Sequence, residues 1–385
     1  MRTIPELPVI DPAVLADPFT AYARVSAQSP VVRLVGPGMP ALWAVTRHEH
    51  ARAVLADPRF ELSEASFLRP PGIPEHCARY LHTMAEMDGP EHAHLRSAVA
   101  PAFTARRTER LRPALDLIVD RLLAPLGGST DLLREFAGPL PMEVICELVG
   151  IPESDRPRWR GYGAAVAAGF GSGFIAAIPD ILASAETAVA AARATPDDGI
   201  LSLLVDGPLT EVELVTLVWH LLLAGQTPTN LIANSVAALL AHPDQLALLR
   251  ENPALAPNAV EELMRWCGPQ LLTTPRYATE DVPIDDVVIP RGAAMTVSIA
   301  AANRDPRAFA NPDQLDITRP LGSPAHLGFS HGPHFCLGAP LAKAQTEIAL
   351  TALLHRFPTI TPTEPFVPTP DPGTWRLAAL PVHLG

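Results

Sequence analysis

Ten residues near the C-terminal end constrain this chain more than any other stretch: Phe329-Ser330-His331-Gly332-Pro333-His334-Phe335-Cys336-Leu337-Gly338. Gly332 stands four residues before Cys336 and Gly338 two after it. The apolar Leu337, Ala339, Pro340, Leu341 and Ala342 follow as the predicted start of a helix. Glycine lets a backbone turn back on itself and approach a flat ligand closely. A thiolate at a helix N-terminus is stabilised by the unpaired amides and the dipole there. The same amides would tune any metal held by the sulfur. Three readings are open at this point. The cysteine is a buried structural residue on a turn, or it joins His331 and His334 in a zinc site that lacks a CxxC pair. The third is a single axial thiolate on a haem iron.

A chain of 385 residues exceeds the usual size of one domain. No Gly/Ser-rich linker, charge block or repeat divides it, so one domain over 1–385 is the simpler reading. Hydrophobic residues at 48% and charged residues at 18% exclude a disordered chain. A net charge of −12 gives no general attraction to nucleic acid or to an anionic membrane. Lys343 is the only lysine. Cys77, Cys146, Cys267 and Cys336 are far apart and no secretory signal precedes them, so a reducing, cytoplasmic setting is expected. No membrane partner is expected either. The longest apolar helix candidate, near 215–225, is too short to span a bilayer and carries Trp219-His220.

Local patterns then place elements along the chain. Asp17-Pro18-Phe19 predicts a short helix through Tyr22 and Val25; Val31–Leu34 and Leu42–Val45 read as strands, and His48–Leu55 as a helix. Residues 61–87 have no steady period but carry Phe67, Leu68, Tyr80, Leu81, Met84 and Met87, the composition of a binding loop. Pro90 and Glu91 open a helix on which His92 and Arg96, four apart, share a face and can each donate to a carboxylate. Arg106, Arg107, Arg110 and Arg112 form a basic cluster, and the Gly/Ala-rich stretch 159–174 suggests flexibility. Thr210 is an N-cap before one long buried helix with Ala224–Asn230 at its middle. Pro228 inside such a helix would cost about 3 kcal/mol. Glu262 and Arg265 pair on a helix over Pro257–Trp266. Val287–Pro290 with Ala294–Ser298 is predicted as a strand pair, and another pair is expected near Trp375–Leu377.

The ten-residue stretch resembles the cysteine-ligand loop of the cytochrome P450 family, F-x-x-G-x-H-x-C-x-G, at Phe329, Gly332, His334, Cys336 and Gly338. The resemblance runs from about Asp17 to Arg356. It implies a mainly α single domain with a small β-rich lobe. It also implies haem b (iron protoporphyrin IX) on Cys336, with its propionates held by His92, Arg96, Arg276 and His334. Glu262, Arg265 and Arg319 would form the family's buried network, Arg265 preceding Cys336 by 71 residues (336 − 265). The loop over 61–87 and Leu271, Leu272 and Thr273 would line the substrate pocket, and residues 159–174 fall where the family has mobile lid helices. The implied activity is monooxygenation of a small organic molecule, a natural-product intermediate, by hydrogen abstraction and oxygen rebound. Dioxygen is the co-substrate, and electrons come from a ferredoxin or flavodoxin with its reductase, docked near the arginine cluster.

One segment departs from the family. Ala224-Gly225-Gln226-Thr227-Pro228-Thr229-Asn230 resembles the oxygen-site pattern A-G-x-[D/E]-T-T. Aligned on Ala224-Gly225, Thr227 replaces the acid and Pro228 the alcohol. Aligned backward from Asn230, Gln226 replaces the acid and Thr227 is the alcohol. Thr227 and Gln226 are therefore the catalytic candidates, with no carboxylate beside a threonine. That departure raises a second enzyme reading, oxidative coupling or cross-linking without oxygen insertion. A haem sensor without turnover is the rival from another class; it would need an output domain, of which the sequence shows no sign.

Overall fold

Thr210 starts the helix around which this computed structural model is arranged; it describes residues 4–38, 40–67, 71–167, 171–225, 227–320, 322 and 324–385. The Thr210 hydroxyl accepts the Glu213 amide at 3.3 Å, and the Glu213 carboxylate accepts the Thr210 amide at 2.6 Å, a reciprocal cap. The helix it opens, Glu211–Ala224, buries Leu214, Val215, Leu217, Val218, Trp219 and Leu222. Hydrophobic on nearly every side, it is a core helix by composition.

The single long helix expected through residue 230 is instead two. The first ends at Gly225, whose amide reaches the Leu221 carbonyl at 2.9 Å, and a second helix covers Thr227–Ala241. Gln226, between them, lies outside the described residues. Pro228 is thus the second residue of a helix, where an amide has no intrahelical partner to lose. The cost expected of a mid-helix proline does not arise. Packing explains the glycine, since a Cβ at Gly225 would run into Ile145 Cδ1 of the helix Pro139–Val149.

Two apolar cores flank this pair of helices. Leu115, Leu123, Phe136, Leu239, Leu263 and Leu353 belong to one, and Tyr80, Trp159, Ile178, Leu204, Val218 and Trp219 to the other. The helix Ala339–Arg356 packs against Ala105–Leu123, Thr227–Ala241 and Ala256–Cys267. Its N-terminus, and with it Cys336, comes to the broken-helix region by that packing. On Ala256–Cys267, Glu262 receives Arg265 at 2.7 and 2.8 Å and Arg319 at 3.0 Å, so the expected buried network is present.

The β-rich lobe is a six-stranded sheet, a three-stranded sheet and a hairpin. Its strands are β1 (Glu6–Pro8), β2 (Val31–Val35), β3 (Leu42–Val45), β4 (Phe60–Glu61), β5 (Gly128–Asp131), β6 (Arg276–Ala278), β7 (Val282–Ile284), β8 (Val287–Ile289), β9 (Ala294–Val297), β10 (Ile360–Pro362) and β11 (Pro381–Leu384). The large sheet has the order β1-β2-β3-β9-β6-β4 and the smaller one β10-β11-β5. Pairing of β6 with β9 sets Arg276 opposite Met295. Two strand expectations fail. β8 pairs back onto β7, because Asp285 takes a positive φ of 51° in a two-residue turn, and β9 pairs with β3 and β6 instead. Near the C-terminus, Thr374 and Leu377 make only isolated bridges, to Gln270 and Pro368, and the closing strands are β10 and β11.

One helix among the described residues, Ser172–Ala194, is long and apolar enough to cross a membrane by length and composition. It exceeds the 215–225 candidate, and it buries Phe174, Ile178, Ile181, Leu182, Ala185 and Val189 in the second core. The expected flexible stretch 159–174 straddles it and the helix Arg156–Ala167, with Trp159, Tyr162 and Phe174 all buried; Phe170 lies outside the described residues.

Candidate functional site

The cysteine loop is held by its own backbone. The Cys336 amide donates to the Phe329 carbonyl at 2.8 Å and the Phe335 amide to the Gly332 carbonyl at 3.0 Å. Phe329 packs with Leu231, Met264 and Ala339, and Lys343 lies 6.0 Å over its ring while pairing with Glu261 at 2.8 Å. Gly332 has a φ of 73°, and a Cβ there would meet the Leu55 carbonyl at 2.9 Å, so no other residue fits that approach. At Gly338 the reason differs: a Cβ would meet nothing within 4 Å and would project into the cavity that this residue lines. Glycine leaves that space clear beside the sulfur.

The cavity measures about 470 Å³. Its walls include Cys336, His92, Arg96, Arg276 and His334, and on another side Ile145, Leu217, Ala224, Thr227 and Pro228. Cys336 keeps surface open to it, yet the surrounding protein pushes its thiol pKa up, against the amides of Gly338 and Ala339 and the charge of Arg96, which pull it down. The amides act on the sulfur as a helix start should, and burial outweighs them.

The four predicted carboxylate-binding residues come together from three separate segments. His92 and Arg96 stand on the helix Gly89–Val99, Arg276 on β6 and His334 on the cysteine loop. The rings of His92 and His334 stack with centroids 4.2 Å apart. Arg96 Nη2 donates to the Phe335 carbonyl at 2.6 Å, tying the helix to the loop. Arg276, only 8% exposed, makes one side-chain hydrogen bond among the described residues, to the Leu55 carbonyl at 3.3 Å, and burial lowers its pKa. Burial, then the charges of His334 and Arg96, likewise lower His92. Buried charge is normally paired, and this cluster has more cation than anion.

Asp88 was not foreseen. It stands at the N-cap position of the Gly89–Val99 helix but makes no capping bond; Oδ1 meets His334 Nε2 at 2.8 Å and Oδ2 accepts the Leu62 amide at 2.6 Å. Burial would raise its carboxyl pKa, and the His334 and Leu62 hydrogen bonds bring it below the ordinary value. The sequence offers no signal for it, because its partner His334 lies 246 residues away. Other expectations sort unevenly. Leu62, Met84, Ala85, Leu272 and Thr273 line the cavity, whereas Tyr80, Leu81, Met87 and Leu271 are buried in apolar cores and Leu68 lies outside the described residues. No described residue of 156–194 reaches the wall. In the arginine cluster, Arg112 is occupied by Glu109 and Glu347 and Arg107 by the Asp198 carbonyl, which leaves Arg106 and Arg110 exposed. Thr227 lines the cavity, and Gln226 lies outside the described residues. Zinc finds no support, since no group of three or more His, Cys, Asp or Glu among the described residues could hold a metal ion.

A flat iron porphyrin fits this arrangement: one sulfur backed by two amides, a glycine that keeps space clear, and a buried Arg276 with a half-buried Arg96 and two histidines to donate to two carboxylates. The comparisons agree. A family model described as cytochrome P450 matches residues 182–382. Cytochrome P450 monooxygenase PikC of Streptomyces venezuelae is 41% identical, over 98% of this chain and 94% of its own. The 6-deoxyerythronolide B hydroxylase of Saccharopolyspora erythraea is 37% identical, over 94% and 93%. The ligand-free P450 monooxygenase TamI superposes with a TM-score of 0.89 at 34% identity, covering 100% of this chain and 94% of that one. The chain belongs to the cytochrome P450 family: it is a haem b oxidoreductase of the monooxygenase class, which works with dioxygen, an organic substrate and an electron-donating partner.

Proposed function

We propose that Cys336 is the axial thiolate of haem b, that His92, Arg96, Arg276 and His334 receive its propionates, and that the whole of 1–385 serves this one site. The observation that carries the reading is the pairing of a cavity-facing sulfur, backed by the Gly338 and Ala339 amides, with a buried Arg276 that no carboxylate hydrogen-bonds among the described residues. When bound, the haem supplies activation of dioxygen, with thiolate electron donation favouring O–O cleavage. The chain's own residues do the rest. Arg96 fixes the cysteine loop through the Phe335 carbonyl, and Asp88 orients the His334 ring. Ile145, Leu148, Leu217 and Leu221 exclude water from the side of the cavity where a substrate would lie. Thr227 lines that wall and is the candidate to carry a proton there; with no acid in the adjoining sequence, that proton must come through water or from the substrate.

The substrate we infer is an apolar natural-product intermediate, oxidised by hydroxylation. Support comes from the apolar lining and from relatives such as the hydroxylase named for 6-deoxyerythronolide B. Electrons would come from a ferredoxin or flavodoxin with its reductase, drawn in part by the exposed Arg106 and Arg110. Four unpaired cysteines suit a reducing cytoplasm. Oxidative coupling stays as a second reading because of the missing acid at 226–228. The carbon monoxide complex of the reduced enzyme tests the ligand: a red-shifted Soret band is expected in the wild type and should vanish in Cys336→Ala. A band that survived would remove Cys336 from the iron. Turnover under isotopically labelled dioxygen separates the two reactions, since only hydroxylation carries label into the product.

A further inference from the structure

His220 has no task in the reading above. It lies on the helix Glu211–Ala224 one turn before Ala224, and Leu217, Leu221 and Ala224 share its cavity face. His220 is half-buried, and the desolvation it does suffer brings its pKa down to about 4, so the imidazole is neutral at physiological pH. Among the described residues nothing hydrogen-bonds it and no charge pairs with it. A half-buried ring without a protein partner calls for an account of what it faces.

The surroundings supply one. The ring borders the main cavity and also a second one of about 210 Å³, whose wall includes Arg79, His82, Glu91, Glu213 and Thr216. Those polar groups can keep water in the second cavity, and such water can serve one ring nitrogen. The other nitrogen is then free for whatever fills the main cavity. We propose that His220 is the substrate-selecting hydrogen-bond group of this enzyme, taking an uncharged, largely apolar molecule by a ketone or hydroxyl oxygen. A neutral imidazole offers one N–H donor and one acceptor, which suits both groups. A carboxylate or ammonium on the ligand would instead be buried here without a counter-charge. The anchor stands about 6 Å along the helix axis from Ala224, so the held oxygen would be about one turn from the helix break at Gly225. A site built around a hydrogen bond rejects the analogue that lacks it far better than an apolar wall can.

This inference rests on the cavity being the substrate pocket. Cyclooctanone and its isostere methylidenecyclooctane, which differ only in C=O against C=CH2, test it on the holoenzyme. Binding is followed by calorimetry and, in parallel, by the shift of the haem Soret band. The wild type should prefer the ketone. His220→Leu should cut that preference by about five- to tenfold, the loss of one hydrogen bond, and His220→Gln should keep most of it. An unchanged preference in His220→Leu overturns the proposal, as does a wild type that binds neither probe, or a loss that His220→Gln does not restore. If the calorimetric pattern appears but the Soret band stays still, the pocket reading falls, and the substrate role of His220 falls with it.

Discussion

Arg265 and Arg276 are both buried, at 3% and 8% exposure, yet the protein treats them in opposite ways. Arg265 places Nε and Nη2 on Glu262 at 2.7 and 2.8 Å and Nη1 on the carbonyls of Asn303 and Pro312. Every face of its guanidinium is occupied by this chain. Arg276 reaches one carbonyl at 3.3 Å, and its nearest acid, Asp88, spends its hydrogen bonds on His334 and Leu62. The first arginine is finished by folding; in the proposed reading the second is finished by a haem propionate. Burial therefore does not separate a structural charge from a binding one; a count of partners does.

Removing the partner of the finished arginine should have the largest effect. Glu262→Ala leaves Arg265 and Arg319 facing no carboxylate and should lower stability to urea by about 3–5 kcal/mol. A loss under about 1 kcal/mol would break the contrast. His220 belongs with the unfinished groups, and pH exposes it. Its folded pKa, about 4, lies below the ordinary 6.5, so the stability due to the neutral ring is complete above pH 6.5 and drains away as pH falls toward 4. Wild type should thus lose at most about 3 kcal/mol relative to His220→Leu across that window. Parallel pH curves would mean the ring is hydrated through its cavity.

Arg276→Leu sharpens the contrast from the other side. Haem transfer to an acceptor protein should quicken by about ten- to a hundredfold, for one charge-assisted contact, while urea stability of the haem-free form stays within about 1 kcal/mol. A large fall in haem-free stability would show that Arg276 is finished after all. The smallest effect is expected at Pro228. Within the first turn of its helix, Pro228→Ala should change stability by less than about 1 kcal/mol, against about 3 for a proline in a helix interior.

Much of the site could be read from the sequence because its chemistry is local. Cys336, His334 and the two loop glycines sit within ten residues, and His92 and Arg96 share one turn of one helix. Arg276 was legible only through its resemblance to a known strand. The misses share a physical cause. Asp88 meets His334 across 246 residues of chain, a contact that no spacing encodes. The break at Gly225 was misjudged because Pro228 was read as a mid-helix residue instead of the start of a second helix, and what forces the glycine is Ile145, on another helix. The β7–β8 hairpin was missed because alternation marks a strand but not its partner. His220 left a trace, a lone polar residue in an apolar run, but whether such a ring is partnered depends on its neighbours in space.

Lys343 has a consequence of a more practical kind. It is the chain's only lysine, it pairs with Glu261, and it lies over the Phe329 ring, seven residues past Cys336. Its side chain is 38% exposed, so an amine-selective reagent can reach it. Apart from the N-terminal amine there is no competing primary amine, and a dye or spin label attached this way would report from one known place. That place is the back of the cysteine loop, which makes the natural sequence ready for single-site labelling without a substitution.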